Sequence, residues 1–231
     1  IIEWLQKKKG IRWILEGIGV YQVVCYLYTD KVELLYSFLN EFKQKFGDRL
    51  GKIDVLTAVH NVYGKKSFLY GKKENSQQAL EGGSKQPLEE IDVALLKALE
   101  KDGRASLTVL GEALGASSKV VAYHLKKLKR QNVLLQSVPI INMELLGYQY
   151  HYLLLNISSE KNKNLLNYLQ SHPHITFISE LLGKYQVSID VVVKDTKALV
   201  QFIVELKHSF GNIILGIDSL HIHSVQLLPS L

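Results

Sequence analysis

The sequence contains an internal repeat, and this repeat constrains the fold more than any other feature. Residues 11–22 (IRWILEGIGVYQ) and residues 175–186 (ITFISELLGKYQ) align at an offset of 164. Eighteen identities accumulate at this offset without a gap. Agreement of this kind indicates that one structural unit occurs twice. We call residues 1–70 the first copy and residues 144–231 the second copy.

The hydrophobic periodicity of the second copy predicts a β-α-β-β-α-β order. The predicted elements are strand Tyr148–Ile157, helix Lys161–Ser171, strand Ile175–Leu182, strand Tyr185–Val193, helix Thr196–Phe210 and strand Ile214–Leu227. This order is ferredoxin-like, with both helices on one face of a four-stranded sheet. The other face of the sheet therefore needs a partner. Residues 1–7 align with the first of these helices, so the first copy lacks its opening strand.

The segment between the copies begins with a polar, glycine-rich linker, residues 71–87. Beyond the linker, the periodicity predicts three helices, Leu88–Lys101, Leu107–Leu114 and Ser118–Gln131. Ser106 and Ser117 are suited to cap the second and third helices, which a short turn at Gly115 joins. Two helices joined in this way predict a helix-turn-helix. Two wing strands are predicted after it, Val133–Gln136 and Val138–Asn142.

The third of these helices carries a concentrated positive charge. Between Ser117 and Asn132 there are five basic side chains and no acidic one. Such a helix fits the DNA major groove, where its N-terminal residues reach base edges and its cations neutralise phosphates. The predicted contacts to double-stranded DNA are Ser117, Ser118, Lys119, Tyr123, Lys126, Lys127 and Arg130. His124 is predicted to be a buried structural residue. The alternative is a winged helix that contacts protein, with its lysines in solvent.

Several motifs together resemble the Lrp/AsnC family of transcription regulators. Four of them, Leu88–Asp92 (LEEID), Asp102–Ser106 (DGRAS), Leu114–Ser117 (LGAS) and Leu125–Leu128 (LKKL), are similar to the winged helix-turn-helix of that family. The fifth, Gly183–Gln186 (GKYQ), is similar to the signature turn of its effector domain, the RAM domain. The resemblance implies RAM sheets that pack face to face, either within one chain as a pseudo-dimer or between chains as a homodimer or larger assembly.

The resemblance also implies a small-molecule effector, commonly an amino acid, bound between RAM domains near the signature turn. The residues that it places there are Gly183, Tyr185 and Gln186 of the second copy and Gly19, Tyr21 and Gln22 of the first. In the family this turn usually ends in aspartate, whereas this chain has glutamine in both copies. The carboxylate that would pair with an α-amino group is therefore missing. A different effector, or none, is an equal alternative.

The resulting prediction is an α+β protein, a winged helix-turn-helix flanked by two ferredoxin-like βαββαβ (RAM-type) domains, the first N-terminally truncated. Its expected segments are 1–70 (truncated RAM-like domain), 71–87 (linker), 88–143 (winged helix-turn-helix) and 144–231 (RAM-like domain). Extending the repeat upstream predicts a natural protein of about 308 residues, with a second winged helix-turn-helix and a strand before Ile1.

Composition and the remaining motifs indicate the partners, the compartment and the ligands to expect. The formal charge of +6 is a mild sign of an anionic partner, and the single cysteine, Cys25, favours a reducing cytoplasm. The sequence shows no membrane-spanning run, and we expect no membrane partner. His221 and His223 have a spacing that could hold a metal, but we expect them to line the sheet face that meets the other copy. We expect no metal and no cofactor.

The protein is not expected to be an enzyme. Sirohaem decarboxylases are similar in architecture to Lrp/AsnC proteins and form the enzymatic alternative. Their substrate is a tetracarboxylate, yet the chain has no arginine after Arg130. No catalytic triad or glycine-rich phosphate loop is present in the sequence either.

Overall fold

A computed structural model describes residues 1–64, 87–135, 141–158 and 163–229. The chain forms two compact units. One comprises Ile1–Ala79 together with Asn142–Leu228, and the other comprises Leu80–Ile141 with Pro229–Leu231. We call the first the sheet unit and the second the helical unit.

The sheet unit contains seven strands and four α-helices, counted over the described residues. In chain order its elements are α1 (Ile2–Gln6), β1 (Ile11–Gly19), β2 (Val23–Leu27), α2 (Val32–Phe46) and β3 (Thr57–Tyr63), followed after the helical unit by β4 (Gln149–Ile157), α6 (Lys163–Ser171), β5 (Ile175–Leu182), β6 (Val187–Val193), α7 (Thr196–Phe210) and β7 (Ile214–Leu227). Short 3-10 turns lie at Gly47–Arg49 and Glu144–Leu146. Among the described residues, no helix combines the length and apolarity that crossing a bilayer requires.

The second copy has the predicted β-α-β-β-α-β order, and its strands lie side by side as β7-β4-β6-β5. The predicted bounds of β5, α7 and β7 are confirmed to the residue. Successive side chains of a strand point to opposite faces of the sheet. Those on one face of these four strands pack on α6 and α7. This core contains Leu153, Leu155, Leu165, Leu169, Ile178, Ile189, Leu199, Phe202 and Leu206.

The opposite face of the same strands packs against the first copy. Tyr152 and Leu154 of β4 and Leu220 of β7 share a buried cluster with Leu15 of β1. Half-buried side chains of the first copy complete this cluster: Tyr21, Val24, Tyr26 and Leu56. The first copy is therefore the partner that the sequence predicted this face to need.

All seven strands form one sheet, in the order β2-β1-β7-β4-β6-β5-β3. The first copy supplies both edges, since β1 pairs with β7 and β3 pairs with β5, each antiparallel. The two ladders correspond at the sequence offset of 164. Glu16 faces Ser224 in one ladder and Glu180 faces His60 in the other. In each ladder the strand register shifts immediately beside the pair named above.

The helical unit contains α3 (Glu90–Lys101), α4 (Leu107–Leu114) and α5 (Ser118–Arg130). These bounds confirm the predicted helices, α4 to the residue and the other two to within two residues. The three helices enclose Leu95, Leu110, Val121 and Leu128, all at most 2% exposed. Of the predicted wing, residues 136–140 lie outside the described residues, and residues 133–135 form no strand.

Candidate nucleic-acid interface

Helix α5 is set against α4 by two caps and a close backbone approach. The Ser106 and Ser117 hydroxyls each accept a hydrogen bond from a backbone N–H three residues ahead, at 3.3 Å, and so begin α4 and α5. Gly115 ends α4 in the left-handed region, with φ of 62°. At Gly111, a Cβ atom would lie 2.6 Å from the carbonyl oxygen of Ala116. Only glycine allows the turn to pack this closely on α4.

The inner face of α5 is fixed by packing and by one buried polar contact. Val121 and Leu128 lie in the core, while His124 is buried between them. The Nδ1 atom of His124 lies 2.7 Å from Oδ1 of Asp92, which is fully buried on α3. This contact confirms the prediction that His124 is a structural residue and excludes it from the exposed face.

Asp92 is also the centre of an ion-pair network. Lys127 donates to Oδ2 of Asp92 at 2.7 Å and to Oε1 of Glu89 at 2.5 Å. Burial by itself would raise the pKa of Asp92, but hydrogen bonds from Lys127, His124 and the Glu89 backbone outweigh it and lower that pKa. The same two carboxylates raise the pKa of Lys127. Lys127 therefore holds α5 on α3.

This network also bears on whether Glu89, Asp92 and His124 could bind a metal ion. Glu89, Asp92 and His124 place one possible metal-ligand atom each within 4.8 Å of one another. The ammonium of Lys127, however, already donates to both carboxylates. It supplies the positive charge that a metal ion would bring to these ligands.

The outer face of α5 is open and basic. Lys119, Lys126, Lys129 and Arg130 are exposed. Tyr123 is 63% exposed, and its ring meets that of His124 edge-on at 5.2 Å. The helix thus presents cations along its length, with an aromatic ring near the middle.

The predicted contact residues divide into two groups. Lys119, Tyr123, Lys126 and Arg130 share the exposed face. Ser117 is exposed and uses its hydroxyl as the helix cap, and Ser118 is half-buried. The structure gives Lys127 a different role from the predicted one, because its side chain is 11% exposed and paired with two carboxylates.

Three exposed apolar residues near this face were not predicted. Val120 on α5 is 40% exposed, and Leu107 and Val109 on α4 are 41% and 54% exposed. The sequence did carry a signal for them. They follow the serine caps in the first turn of each helix, and the helical periodicity does not place them on the buried face. Apolar side chains at such positions can meet the methyl group of thymine.

The predicted effector residues meet where the two copies join. Tyr21 of the first copy and Tyr185 of the second lie next to each other. Tyr21 donates a hydrogen bond to Asp54, and Tyr185 donates one to Asp218, at the same offset of 164. Burial and the aspartates raise the pKa of both phenols, so the hydroxyls remain donors. The hydrogen bond from Tyr21 lowers the pKa of Asp54.

Two lysine side chains contact this cluster, and they differ in which aspartates they approach. Nζ of Lys184 lies 3.8 Å from a carboxylate oxygen of each aspartate and 4.5 Å from the centre of the Tyr185 ring. Lys52 lies 3.1 Å from Asp54. The counterpart of Lys184 in the first copy is Val20, which brings no charge. Lys184, from the second copy, is the lysine that lies near both aspartates, whereas Lys52, from the first copy, pairs with Asp54.

Among the other predicted effector residues, Gln186 and the two glycines contact neighbouring parts of the chain. Gln186 accepts a hydrogen bond from the Ile157 N–H at 2.9 Å and donates to the Gly183 carbonyl at 3.1 Å. Gly183 has φ of 132° and lies beneath Leu56 of the first copy. Gly19, with φ of 155°, packs on the backbone of β7. Gln22 is exposed.

The expectation for His221 and His223 is wrong. Their neighbours Leu220 and Ile222 face the first copy, so the histidines project to the other face of β7. There the His221 ring meets that of His151 at 4.8 Å. Burial, with His221 nearby, lowers the pKa of His151 to about 4.

Comparison with known proteins agrees with this geometry. A family model described as "winged helix-turn-helix DNA-binding" matches residues 88–134, which contain all three helices of the helical unit. An uncharacterized HTH-type transcriptional regulator of Pyrococcus horikoshii is 30% identical over 136 residues. That alignment covers 57% of this chain and 80% of the relative.

Solved structures share the fold over a similar span. AsnC of E. coli is similar with a TM-score of 0.51 and 18% identity, over 63% of this chain and 96% of that one. A transcriptional regulator of Neisseria meningitidis, solved as a complex with L-Met, is similar with a TM-score of 0.54 and 17% identity, over 63% and 96% of the two chains.

Proposed function

Because the chain belongs to the Lrp/AsnC family of DNA-binding transcription regulators, we propose that it binds double-stranded DNA through the outer face of α5. One observation carries this proposal. The exposed cations Lys119, Lys126 and Arg130 lie on the side of the helix opposite to Val121 and Leu128, which anchor it in the core. A rigid helix with cations on one side suits the major groove.

Each group on this face has a definite role in the proposal. Lys119 and Tyr123, in the first half of α5, reach base edges, with Tyr123 placed to meet a thymine methyl. Lys126 and Arg130, further along the helix, neutralise phosphates and so set its position on the duplex. Lys127 acts indirectly, by holding α5 on α3.

Fluorescence anisotropy with labelled DNA from upstream of the gene tests this assignment. Lys119→Ala with Lys126→Ala should weaken binding at least tenfold and flatten its dependence on salt. Glu112→Ala, at an exposed position on α4, is the matched control and should bind like wild type. If the double variant binds like wild type, this face does not contact DNA.

The same measurement separates the alternatives. Failure of wild type to bind any duplex would favour the winged helix as a protein-contact module. The relatives that match are transcription regulators, in agreement with the prediction that the protein is not an enzyme. They lend no support to the sirohaem decarboxylase alternative.

We further propose that the two copies are RAM-type domains of a tandem duplication that pair within one chain. The matching registers of the β1–β7 and β3–β5 ladders support this pseudo-dimer, because a twofold relation between copies makes every pair in one ladder the counterpart of a pair in the other. The proposed segments are those expected from the sequence: 1–70, 71–87, 88–143 and 144–231.

For the effector, we propose that any ligand at the signature turns is recognised without a carboxylate and is not a free amino acid. Gln22 is exposed, and Gln186 is engaged with backbone groups. Titration calorimetry with L-methionine should give no heat with wild type. Gln22→Asp, which restores a carboxylate at the exposed turn, should create binding if this turn is the site. Binding of L-methionine by wild type would contradict the proposal.

A further inference from the structure

The sheet face on which the two copies meet carries a row of polar side chains. Ser188 of β6 pairs with Leu154 of β4, which lies in the buried cluster between the copies. Ser179 of β5 pairs with Ser188, and Asn61 of β3 pairs with Ser179. Directly paired residues of neighbouring strands project to the same face of a sheet. Asn61, Ser179 and Ser188 therefore form one row across three strands, which we call the polar row.

The corresponding row in the other half of the sheet is hydrophobic. At the offset of 164, the members of the polar row correspond to Val225, Leu15 and Val24. These three residues pair in the same order across β7, β1 and β2. The sheet therefore accommodates hydrophobic side chains at all three positions. Strand pairing by itself does not explain why the row in the second half is polar.

Two oxygen atoms of the polar row are buried without a hydrogen bond. Ser179 is fully buried, and its Oγ atom has no hydrogen-bond partner within the described part of the chain. The same is true of Oδ1 of Asn61 on the neighbouring strand. A buried polar atom without a partner destabilises the folded state, and such atoms are uncommon in native proteins. These two oxygens therefore indicate a ligand that contacts both strands.

A carboxylate beside the polar row limits the charge of that ligand. Asp190 follows Ser188 by two residues in β6 and pairs with Tyr152 of the buried cluster, so it lies on the same face. Burial raises the pKa of four nearby phenols, and the Asp190 carboxylate raises it further: Tyr26, Tyr63, Tyr150 and Tyr152. The group thus combines one carboxylate with neutral oxygen atoms. Such a group disfavours an anion and favours a cation.

We propose that the polar row and Asp190 bind one small monovalent cation, of the size of K⁺ or NH₄⁺, inside the sheet unit. Carboxylate, amide and hydroxyl oxygens are the ligands that hard cations take. A single carboxylate balances one positive charge, whereas Ca²⁺ sites commonly supply several carboxylates. The Cβ atoms of directly paired residues lie about 4.5–5.5 Å apart, so oxygens from neighbouring strands reach a common ion.

The proposed site joins the two copies, because Asn61 belongs to the first copy and the other ligands belong to the second. Bound cation should therefore stabilise the β3–β5 ladder, and the hydrophobic row in the β1–β7 half limits binding to one ion per chain. Nothing in the sequence predicts this group, since its members become neighbours only through strand pairing. The site depends on the proposed pairing of the copies within one chain, which the concentration dependence of melting tests separately. It is independent of DNA binding by α5.

Thermal melting of the full chain in different chloride salts tests the site. The reference salt is tetramethylammonium chloride, whose cation is too large to reach closely spaced oxygens. Replacing it by KCl or NH₄Cl at equal ionic strength should raise the melting temperature by about 3–6 °C for each tenfold increase in concentration above the dissociation constant. Near-ultraviolet circular dichroism of the nearby tyrosines should change over the same range. A response to either salt supports the site, and the lower effective concentration identifies its ion.

Variants locate the response. Asn61→Val, which introduces the residue of the hydrophobic row, combined with Ser179→Ala should abolish it. This double variant should melt no lower than wild type in tetramethylammonium chloride, because it lacks the two buried oxygens without partners. Asp190→Asn keeps the shape of the side chain, removes its charge and should also abolish the response. The matched control is His60→Gln, at the exposed neighbour of Asn61 on β3, which should respond like wild type.

Two results would overturn the proposal. If wild type melts at the same temperature in all three salts, the polar row binds no cation and holds at most water. If either the double variant or Asp190→Asn folds and keeps the wild-type response, the cation binds elsewhere on the protein.

Discussion

At the residue scale, neighbouring side chains in the sequence have different roles because of what faces them. Lys126 is exposed, whereas Lys127, one position on, pairs with Asp92 and Glu89. The sequence predicted the basic helix and the buried role of His124 from the 100° step between residues. It did not predict the role of Lys127, since the acceptors come from α3 and their distance from α5 depends on tertiary packing.

Buried histidines give a first prediction for the sheet unit. Burial lowers the pKa of His151 and of His172 to about 4, from an ordinary value of 6.5, with His221 and His174 as the neighbouring imidazoles. As pH falls below 6.5, the unfolded chain binds protons that the folded chain does not. The free energy of unfolding should therefore be greatest above pH 6.5 and decrease towards pH 4.

Urea unfolding of the sheet unit at pH 7 and pH 5.5 measures this loss. His151→Gln with His172→Gln should show a smaller decrease than wild type over this interval. His223→Gln, at an exposed position, should show the wild-type decrease. An equal decrease in the double variant and in wild type would mean that these two imidazoles do not contribute to the pH dependence of stability.

At the element scale, local rules predicted the helices and the second-copy strands well. Serine caps and Gly115 define α4 and α5, and the hydrophobic periodicity defines β5, α7 and β7. Prediction failed for the face of β7 that carries His221, because which face meets the first copy depends on packing against distant strands. Residues 50–56, which align with the start of β7, form no strand.

Gly111 gives a prediction for α4. An added Cβ atom would lie 2.6 Å from the Ala116 carbonyl oxygen, so Gly111→Ala must displace the turn from α4. We expect this to destabilise the helical unit by about 1–3 kcal/mol, a typical result of overpacking. Hydrogen exchange of α4 and α5 amides should accelerate accordingly. Glu112→Ala, the exposed neighbour, should leave the exchange unchanged, and an unchanged rate in Gly111→Ala would show that the turn can yield without cost.

At the scale of the whole molecule, the repeat predicted that the bare sheet face needs a partner, and the structure supplies that partner from the same chain. The sequence left internal and intermolecular pairing open. An offset shows that two copies exist, but it does not show where their strands lie in space. We propose internal pairing because β1 and β3 of the first copy pair with β7 and β5 of the second copy in the same chain.

Internal pairing predicts that folding of the sheet unit does not depend on protein concentration. Its melting temperature should stay constant over a hundredfold dilution, because both sides of the inter-copy core belong to one chain. Near-ultraviolet circular dichroism follows the tyrosines of that core. A melting temperature that falls on dilution would instead show that a second chain covers the face.

The proposed role of the α5 face is tested most directly by the salt dependence of DNA affinity in two adjacent lysine variants. Each phosphate contact contributes about 0.9 to the slope of log affinity against log salt concentration. Lys126→Ala should lower this slope by about 1 while the protein stays as stable as wild type. Lys127→Ala should retain the wild-type slope but melt at a lower temperature. Unchanged slope in Lys126→Ala, or a reduced slope without loss of stability in Lys127→Ala, would contradict the account.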